Sequence, residues 1–166
     1  MDATLIIARV ATILERHGLE AVLIGNAAAA MHGAPVTTID IDFLFRRTPT
    51  NIRKLKRIAA ELGATLYAPL YPASTMLRMM TDDETLQVDF LGEASGVRSF
   101  EGLRNRASQM RVGNATVRVA ALADIIKMKK SVNRPKDRAV LEILEKTLEA
   151  IEANPQTTPG SPPQGE

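Results

Sequence analysis

The sequence predicts an α+β fold, with a small mixed sheet, flanking helices and further helices at the C-terminal end. Segments of helical periodicity and short β-branched segments follow one another without the regular alternation of a doubly wound sheet. Two pairs of short strands are joined by polar turns, which favours antiparallel hairpins. The chain has 166 residues, enough to bury a core without disulfides or a structural metal.

The first helix and the first strand are predicted from the spacing of apolar residues. Apolar side chains recur at helical intervals within residues 3–17, and Gly18 is a typical helix end. Residues 20–24 are a short apolar segment rich in β-branched side chains, which predicts a strand.

A tight turn at Gly25 and Asn26 follows this strand. Residues 27–32 then form a short helix that Gly33 closes. Backbone N–H groups at a helix start attract phosphate oxygens, and a glycine there lets a ligand approach closely. Asn26 either caps the helix or donates to a phosphate. A plain turn with a helix cap explains the same two residues.

The next strand is predicted at residues 37–45, where apolar and polar side chains alternate. The alternation assigns Ile39 to the core face and both Asp40 and Asp42 to the opposite face. Two residues apart on a strand, these carboxylates lie about 6.6 Å from each other and can converge on a cation. The solvent face of an antiparallel sheet is the alternative interpretation.

The remaining elements follow from the same criteria, including a hairpin turn at residues 82–84 and a proline, Pro135, at a first helical turn. Helices are predicted at residues 51–62, 99–107, 121–131 and 135–153, and strands at residues 64–70, 75–80, 85–91, 109–112 and 115–119. We assign residues 1–120 to a core and residues 121–153 to a helical part packed on it. Residues 154–166 contain four of the nine prolines and are predicted to be a disordered tail.

A third carboxylate, Asp89, lies in the strand sequence LQVDFL, on the face opposite Val88 and Phe90. A neighbouring strand can bring it beside the aspartate pair. It would then deprotonate an attacking hydroxyl or share a second metal ion. An isolated surface aspartate is the alternative.

The composition excludes several kinds of site. The chain contains no cysteine, which rules out thiolate nucleophiles, iron–sulfur clusters and cysteine-ligated zinc. Its two histidines, His17 and His32, are too few for a histidine-rich metal site. No apolar stretch is as long as a membrane span, and Asp2 stands where a signal peptide has a basic residue. We therefore expect a soluble, cytoplasmic protein with no membrane partner.

Charge is distributed unevenly, although the formal net charge is only +2. Residues 46–138 contain 18 basic and 9 acidic side chains, and the rest of the chain contains 3 and 10. Such a basic segment favours an anionic partner, and a solvated helix face produces the same count.

Three segments together resemble the nucleotidyltransferases of the DNA polymerase β superfamily, most closely the small bacterial AbiEii-like branch. They are LIGNAAAAMHGAPVTTIDIDFLF, LQVDFL and ALADIIKMKKSVNRPKDRAVLEIL, which span about residues 20–145. The resemblance implies a polymerase β-like nucleotidyltransferase fold. It also implies transfer of a nucleoside monophosphate from a nucleoside triphosphate to an acceptor hydroxyl.

The resemblance assigns roles residue by residue. Gly25 and Asn26 would hold the triphosphate, while Asp40, Asp42 and Asp89 would be catalytic and bind two Mg²⁺ ions. The basic side chains of the late segment would face the triphosphate or the acceptor. These late residues are Lys129, Arg134 and Lys136, followed by Asp137.

The sequence departs from the family at two positions. Asn26 replaces the usual glycine or serine, and Val36 stands where relatives commonly have arginine. Either change would weaken nucleotide binding or mark a different substrate. The carboxylate set is intact, so an active enzyme is favoured.

The resemblance suggests tRNA or another RNA as the acceptor, and a role as the toxin of a toxin–antitoxin system with a cognate partner. A protein hydroxyl or a small molecule such as an antibiotic remains open. The alternative function is a catalytically silent domain that binds a nucleotide or a protein, acting as an antitoxin or regulator.

Overall fold

The computed structural model describes residues 2–68 and 75–154, and within these ranges the chain forms six helices and seven strands. In chain order they are α1 (Ala3–Arg16), β1 (Ala21–Ile24), α2 (Gly25–Met31), β2 (Asp42–Phe45), α3 (Pro49–Leu62), β3 (Ala64–Tyr67), β4 (Leu77–Thr81), β5 (Gln87–Leu91), α4 (Phe100–Arg106), β6 (Ser108–Val112), β7 (Ala115–Val119), α5 (Leu122–Val132) and α6 (Pro135–Ala153).

The strands form one mixed sheet in the order β3-β4-β5-β2-β1-β7-β6. The pairs β4–β5 and β6–β7 are the predicted antiparallel hairpins, and β3 adds to the outer side of β4, also antiparallel. In the middle of the sheet, β2 is antiparallel to β1 and parallel to β5, and β1 is parallel to β7. The prediction of an α+β fold with a mixed sheet is therefore confirmed.

Aromatic side chains of the central strands form the middle of the core. Phe43, Phe45 and Phe90 are fully buried. The rings of Phe43 and Phe90 stack at 5.6 Å between centroids, and Phe45 meets Phe90 edge-on at 6.0 Å. Asp42 directly precedes Phe43 on β2, and Asp89 directly precedes Phe90 on β5. The packing of these rings therefore holds both carboxylates on the opposite face of the sheet.

Helix ends follow the chemistry of their terminal residues. The Thr48 side chain accepts a hydrogen bond from the N–H of Asn51 and caps α3, which ends at Gly63 in the left-handed conformation. Pro135 occupies the first turn of α6, as predicted. Helices α5 and α6 pack against each other, and α5 also contacts α2.

The prediction of a continuous strand over residues 37–45 is wrong in its first half, because β2 begins only at Asp42. The Thr38 hydroxyl donates to the carbonyl of Asp40 and accepts from its N–H, so a local turn replaces the extended chain. Consequently Asp40 lies outside the strand, and Ile39, predicted on the core face, is 93% exposed.

Other predicted boundaries shift by a few residues. Helix α2 begins at Gly25 itself, without a separate turn before it. The strand predicted at residues 64–70 ends at Tyr67, and residues 69 and 70 lie outside the described part of the chain, as does the tail from residue 155 onward. The division at residue 120 stays a prediction.

In the part of the chain that the structure describes, none of the helices has both the length and the apolar character needed to cross a bilayer.

Removing the central aromatic ring should destabilise the protein strongly. We expect Phe90→Ala to lower the free energy of unfolding by about 3–5 kcal/mol, because a large buried side chain is replaced by a cavity. Urea denaturation followed by circular dichroism measures this change. The control Leu5→Ala, at a side chain that is 62% exposed, should change stability by no more than about 0.5 kcal/mol. Equal effects of the two substitutions would contradict the packing described.

Candidate active site

A polar cavity of about 250 Å³ lies where β1 ends and β2 begins. The start of α2, the loop before β2, the end of α5 and the start of α6 all contribute to it. Its lining residues are Gly25, Asn26, Thr37, Thr38, Ile39, Asp40, Asp42, Lys129, Arg134, Lys136 and Asp137. Seven of the eight predicted site residues therefore surround one space, and Asp89 is the exception.

Gly25 lies against the carboxylate of Asp42. Its φ of +70° is in the left-handed region that favours glycine. A Cβ atom at this position would lie 3.3 Å from Oδ2 of Asp42. Glycine is thus required both by the backbone turn into α2 and by the close approach of the carboxylate.

The side-chain oxygen of Asn26 accepts no hydrogen bond from the described residues. Its Oδ1 atom is buried and has no hydrogen-bond partner. The N-cap of α2 is Ile24, and no side chain caps this helix, so the interpretation of Asn26 as a capping residue is wrong. An orphaned amide oxygen beside two carboxylates suits a cation or a ligand hydroxyl.

Asp42 is the central acidic group of the cavity. Its pKa is raised to about 6, first by burial and then by the nearby charges of Asp89 and Asp40, against the opposing effect of Lys136 and Arg78. Loss of hydration and the repulsion of two neighbouring carboxylates both disfavour the ionised form, which explains this direction. A divalent cation would relieve the repulsion and favour the ionised form.

Asp40 reaches the same cavity from the turn that precedes β2, and not from the pleat of a strand as predicted. It is exposed, and its backbone is held by the hydroxyl of Thr38. Asp40 and Asp42 therefore line the same cavity because of the turn before β2, and not because side chains two residues apart on a strand share a face.

Asp89 lies one strand further along the sheet. The register of the parallel pair β2–β5 sets Asp89 directly opposite Asp42, as the prediction required of a neighbouring strand. Its side chain is only 9% exposed, and both of its oxygens are taken by Arg78. Nε of Arg78 donates to Oδ1 at 2.8 Å and Nη2 donates to Oδ2 at 3.0 Å.

A buried carboxylate organises the basic residues on the other side of the cavity. Oδ2 of Asp137 accepts from the backbone N–H of Arg134 at 3.1 Å and from its Nε at 2.7 Å. Nζ of Lys129 lies 3.6 Å from Oδ1. Hydrogen bonding to Arg134 lowers the pKa of Asp137, while burial lowers the pKa of Lys129. Lys136, in the first turn of α6, is exposed and faces the same space.

The donor set fits Mg²⁺, which prefers oxygen ligands and binds through one or two carboxylates together with substrate phosphates and water. Asp40 and Asp42 supply the carboxylates, and Asn26 supplies an unpartnered oxygen. Among residues 2–68 and 75–154, no three histidine, cysteine, aspartate or glutamate side chains are grouped closely enough to hold a metal. The residues therefore fit a cation that is completed by substrate.

A larger cavity, of about 490 Å³, lies between α1, the start of β1 and the β6–β7 hairpin. Its charged lining residues are Glu15, Glu20 and Arg118, and it contains none of the predicted site residues. Of the two cavities, only the smaller one is lined by residues predicted from the sequence to form the site.

The sequence analysis missed Arg78, the partner of Asp89. A signal was present in the hairpin itself. Counting outward from the turn at residues 82–85 pairs Thr81 with Leu86, and three steps further pairs Arg78 with Asp89. It was missed because the strand pair was predicted without a register.

Solved structures with the same architecture include nucleotide-transferring enzymes. The crystal structure of ANT(2″)-Ia in complex with adenylyl-2″-tobramycin aligns with a TM-score of 0.61 and 16% identity, covering 90% of this chain and 92% of that one. The lincosamide antibiotic adenylyltransferase LnuA, bound to lincomycin, aligns with a TM-score of 0.58 and 10% identity over 82% and 92%. A candidate nucleotidyltransferase from Thermotoga maritima aligns with a TM-score of 0.55 and 17% identity over 85% and 89%. At these identities the likeness shows the fold.

No curated protein matches the chain. The family comparison is more informative, because a family description covers residues 3–155, nearly the whole chain. It confirms the prediction of an enzyme of the nucleotidyltransferase class, whereas the AbiEii-like branch stays a prediction. The chain belongs to the family described as nucleotidyl transferase of unknown function, DUF2204.

Proposed function

We propose that the protein is a Mg²⁺-dependent nucleotidyltransferase that moves a nucleoside monophosphate from a nucleoside triphosphate to an acceptor hydroxyl. One observation carries the proposal: a single cavity combines Gly25, three carboxylates and three basic side chains. In the described residues, Asp137 is paired with Arg134, and Asp40 and Asp42 have no ion-pair partner. Phosphoryl transfer needs positioning and charge neutralisation more than covalent chemistry, and these groups supply both.

The triphosphate would lie between the start of α2 and the basic residues. Gly25 leaves room for phosphate oxygens beside Asp42, and Lys129, Arg134 and Lys136 supply positive charge from the opposite wall. Arg134 is preorganised for this role, since Asp137 fixes both its backbone and its guanidinium. Asp40 and Asp42 would hold Mg²⁺, which when bound neutralises phosphate charge and polarises the phosphorus centre.

Asp89 would receive the proton of the acceptor hydroxyl. The hydroxyl oxygen forms a bond to the α-phosphorus, and the bond from that phosphorus to the oxygen bridging to the β-phosphate breaks. Pyrophosphate leaves with that electron pair. The position of Asp89 beside Asp42, outside the cavity lining, supports an approach of the acceptor from the β4 side of the sheet.

We favour RNA, such as tRNA, as the acceptor, and a role as the toxin of a toxin–antitoxin pair. The basic charge of residues 46–138 supports this choice, as does the outer face of α3, where Arg53, Lys56 and Arg57 are exposed. The structural relatives named above include an adenylyl-tobramycin complex and a lincomycin complex, so a small hydroxyl compound is the competing acceptor.

Neutralising the central carboxylate should abolish transfer. We expect Asp42→Asn to lower the rate of nucleotide transfer at least about 100-fold, because the cation loses its most buried carboxylate. Incubation with each labelled nucleoside triphosphate, Mg²⁺ and cell extract, followed by separation of RNA, protein and small molecules, measures the loss and identifies the acceptor. Asp82→Asn, at an exposed turn, is the control and should transfer normally. Unchanged transfer by the Asp42 variant would refute the assignment.

Adding a methyl group at Gly25 should impair nucleotide binding. Gly25→Ala places a Cβ 3.3 Å from the Asp42 carboxylate and forces alanine to a φ of +70°. Gly113→Ala is the matched control, since it imposes similar strain at a φ of +61° with no atom within 4 Å. Each should lose about 1–2 kcal/mol of stability. Only the Gly25 variant should also lose the thermal stabilisation by ATP, CTP, GTP or UTP with Mg²⁺.

If nucleotides stabilise the unmodified protein in this experiment, and the labelled-nucleotide assay detects no transfer, the silent nucleotide-binding domain is supported instead. Loss of stabilisation in both glycine variants would show that strain, and not crowding at the carboxylate, causes the effect.

The acceptor class determines how binding responds to salt. If RNA is the acceptor, the KM for RNA should rise with KCl, since contacts to phosphates release counterions. Neutralising about three phosphates predicts a slope of roughly −2 for log affinity against log salt. Replacing Arg53, Lys56 and Arg57 together by glutamine should make this slope shallower. A salt-independent KM would argue for a small uncharged acceptor.

A further inference from the structure

Arg78 and Asp89 form the one ion pair in which a predicted catalytic carboxylate is engaged, among residues 2–68 and 75–154. They lie opposite each other on β4 and β5, and both carboxylate oxygens accept a hydrogen bond from the guanidinium group. A two-pronged contact of this kind fixes the plane of the carboxylate as well as its position. Asp89 is therefore held rigidly before any ligand arrives.

The sheet register places four side chains in one row. Tyr67, Arg78, Asp89 and Asp42 are successive partners across β3, β4, β5 and β2, so they share one face of the sheet. The side-chain hydrogen bond of Tyr67 raises the pKa of Arg78 further, after the larger effect of Asp89. Arg78 thus lies between a phenol on one side and the acidic cluster on the other.

The same contacts divide the three carboxylates into two groups. Asp89 is only 9% exposed and is neutralised by Arg78, whereas Asp40 and Asp42 line the open cavity. In the described residues neither of the latter two has an ion-pair partner. A cation entering the cavity therefore meets two uncompensated carboxylates, whereas Asp137 in the lining and Asp89 beyond it are already balanced by arginine side chains.

We propose that Arg78 is a positioning residue that withholds Asp89 from metal coordination in the nucleotide-free enzyme. Asp40 and Asp42 then bind a single divalent cation, and Asp89 stays oriented toward the acceptor hydroxyl. This inference rests on the proposed function. It departs from the two-ion set implied by the family resemblance, because Arg78 already balances the charge of Asp89 and occupies both of its oxygens.

Cation stoichiometry tests the inference without any turnover. Mn²⁺ is titrated into the full chain in the absence of nucleotide, and free Mn²⁺ is measured by electron paramagnetic resonance. We expect one bound ion for the unmodified protein, and about the same affinity, within roughly twofold, for Asp89→Asn. Asp42→Asn should weaken binding by about 100-fold, as expected for loss of a direct ligand.

Removing the guanidinium should expose Asp89 to the metal. Arg78→Met should therefore add a second Mn²⁺, or tighten the first about tenfold, since Asp89 becomes an uncompensated carboxylate. Arg9→Met, at an exposed position of α1, is the charge-matched control and should leave Mn²⁺ binding unchanged. If Arg78→Met does not fold, Asp89→Asn still decides, because that substitution keeps the shape of the side chain.

The positioning role is tested by a conservative change. Arg78→Lys keeps the positive charge and loses the two-pronged contact, so kcat should fall about 10–100-fold while KM for the nucleotide stays nearly constant. Mn²⁺ binding should remain at one ion. An equal effect on both constants, or full activity, would contradict positioning.

Four results of the Mn²⁺ titration overturn the inference: two ions bound without nucleotide, no ion bound at all, loss of the ion in Asp89→Asn to the extent seen in Asp42→Asn, or a folded Arg78→Met that binds Mn²⁺ as the unmodified protein does. The proposed function fails separately. If the protein shows the expected Mn²⁺ binding but transfers no nucleotide to any fraction of a cell extract, the proposed transferase function is wrong. The different roles of Asp89 and of Asp40 and Asp42 in metal binding would still stand.

Discussion

The double pairing of β2 at Asp42 is the constraint on which the site depends. Asp42 lies opposite the last residue of β1 on one side and opposite Asp89 of β5 on the other. The first pairing brings Gly25, the next residue of the chain, against the Asp42 carboxylate, and the second brings in Asp89. A slip of one residue in either register would turn these side chains to the opposite face. The stacked rings of Phe43 and Phe90, each adjacent to a carboxylate, oppose such a slip.

Electrostatic balance explains why the carboxylates are not equivalent. Asp42 and Asp89 face each other in a partly dry environment, where two uncompensated negative charges would repel strongly. Arg78 compensates one of them, and the pKa of the other, Asp42, is raised to about 6, first by burial and then by the neighbouring acids. Asp42 is therefore left without an ion-pair partner among the described residues, and a bound positive charge there would stabilise its ionised form. A divalent cation supplies that positive charge, and it can bind nucleotide phosphates at the same time.

Local chemistry made most elements predictable from the sequence, and long-range pairing explains the rest. Helix α3 follows from apolar spacing, with Gly63 at its end, and the turn after β4 follows from its run of acidic residues. The strand before Asp42 was predicted too long because Thr38 closes a local turn that alternation does not reveal. The basic wall of the cavity, formed by Lys129, Arg134 and Lys136, was expected only through the family resemblance. The partner of Asp89 required a strand register, which no single segment of sequence specifies.

The C-terminal helices complete the cavity through a buried carboxylate rather than through apolar packing alone. Asp137 contacts Arg134, at the start of α6, and Lys129, on α5, so one side chain joins both helices at the cavity wall. Helix α5 also contacts α2, which begins with Gly25. A nucleotide between these walls would touch residues 25–42 and residues 129–137, which are far apart in the sequence. Its binding energy would therefore contribute to holding the helices on the sheet, and the stability of that contact would in turn set the affinity.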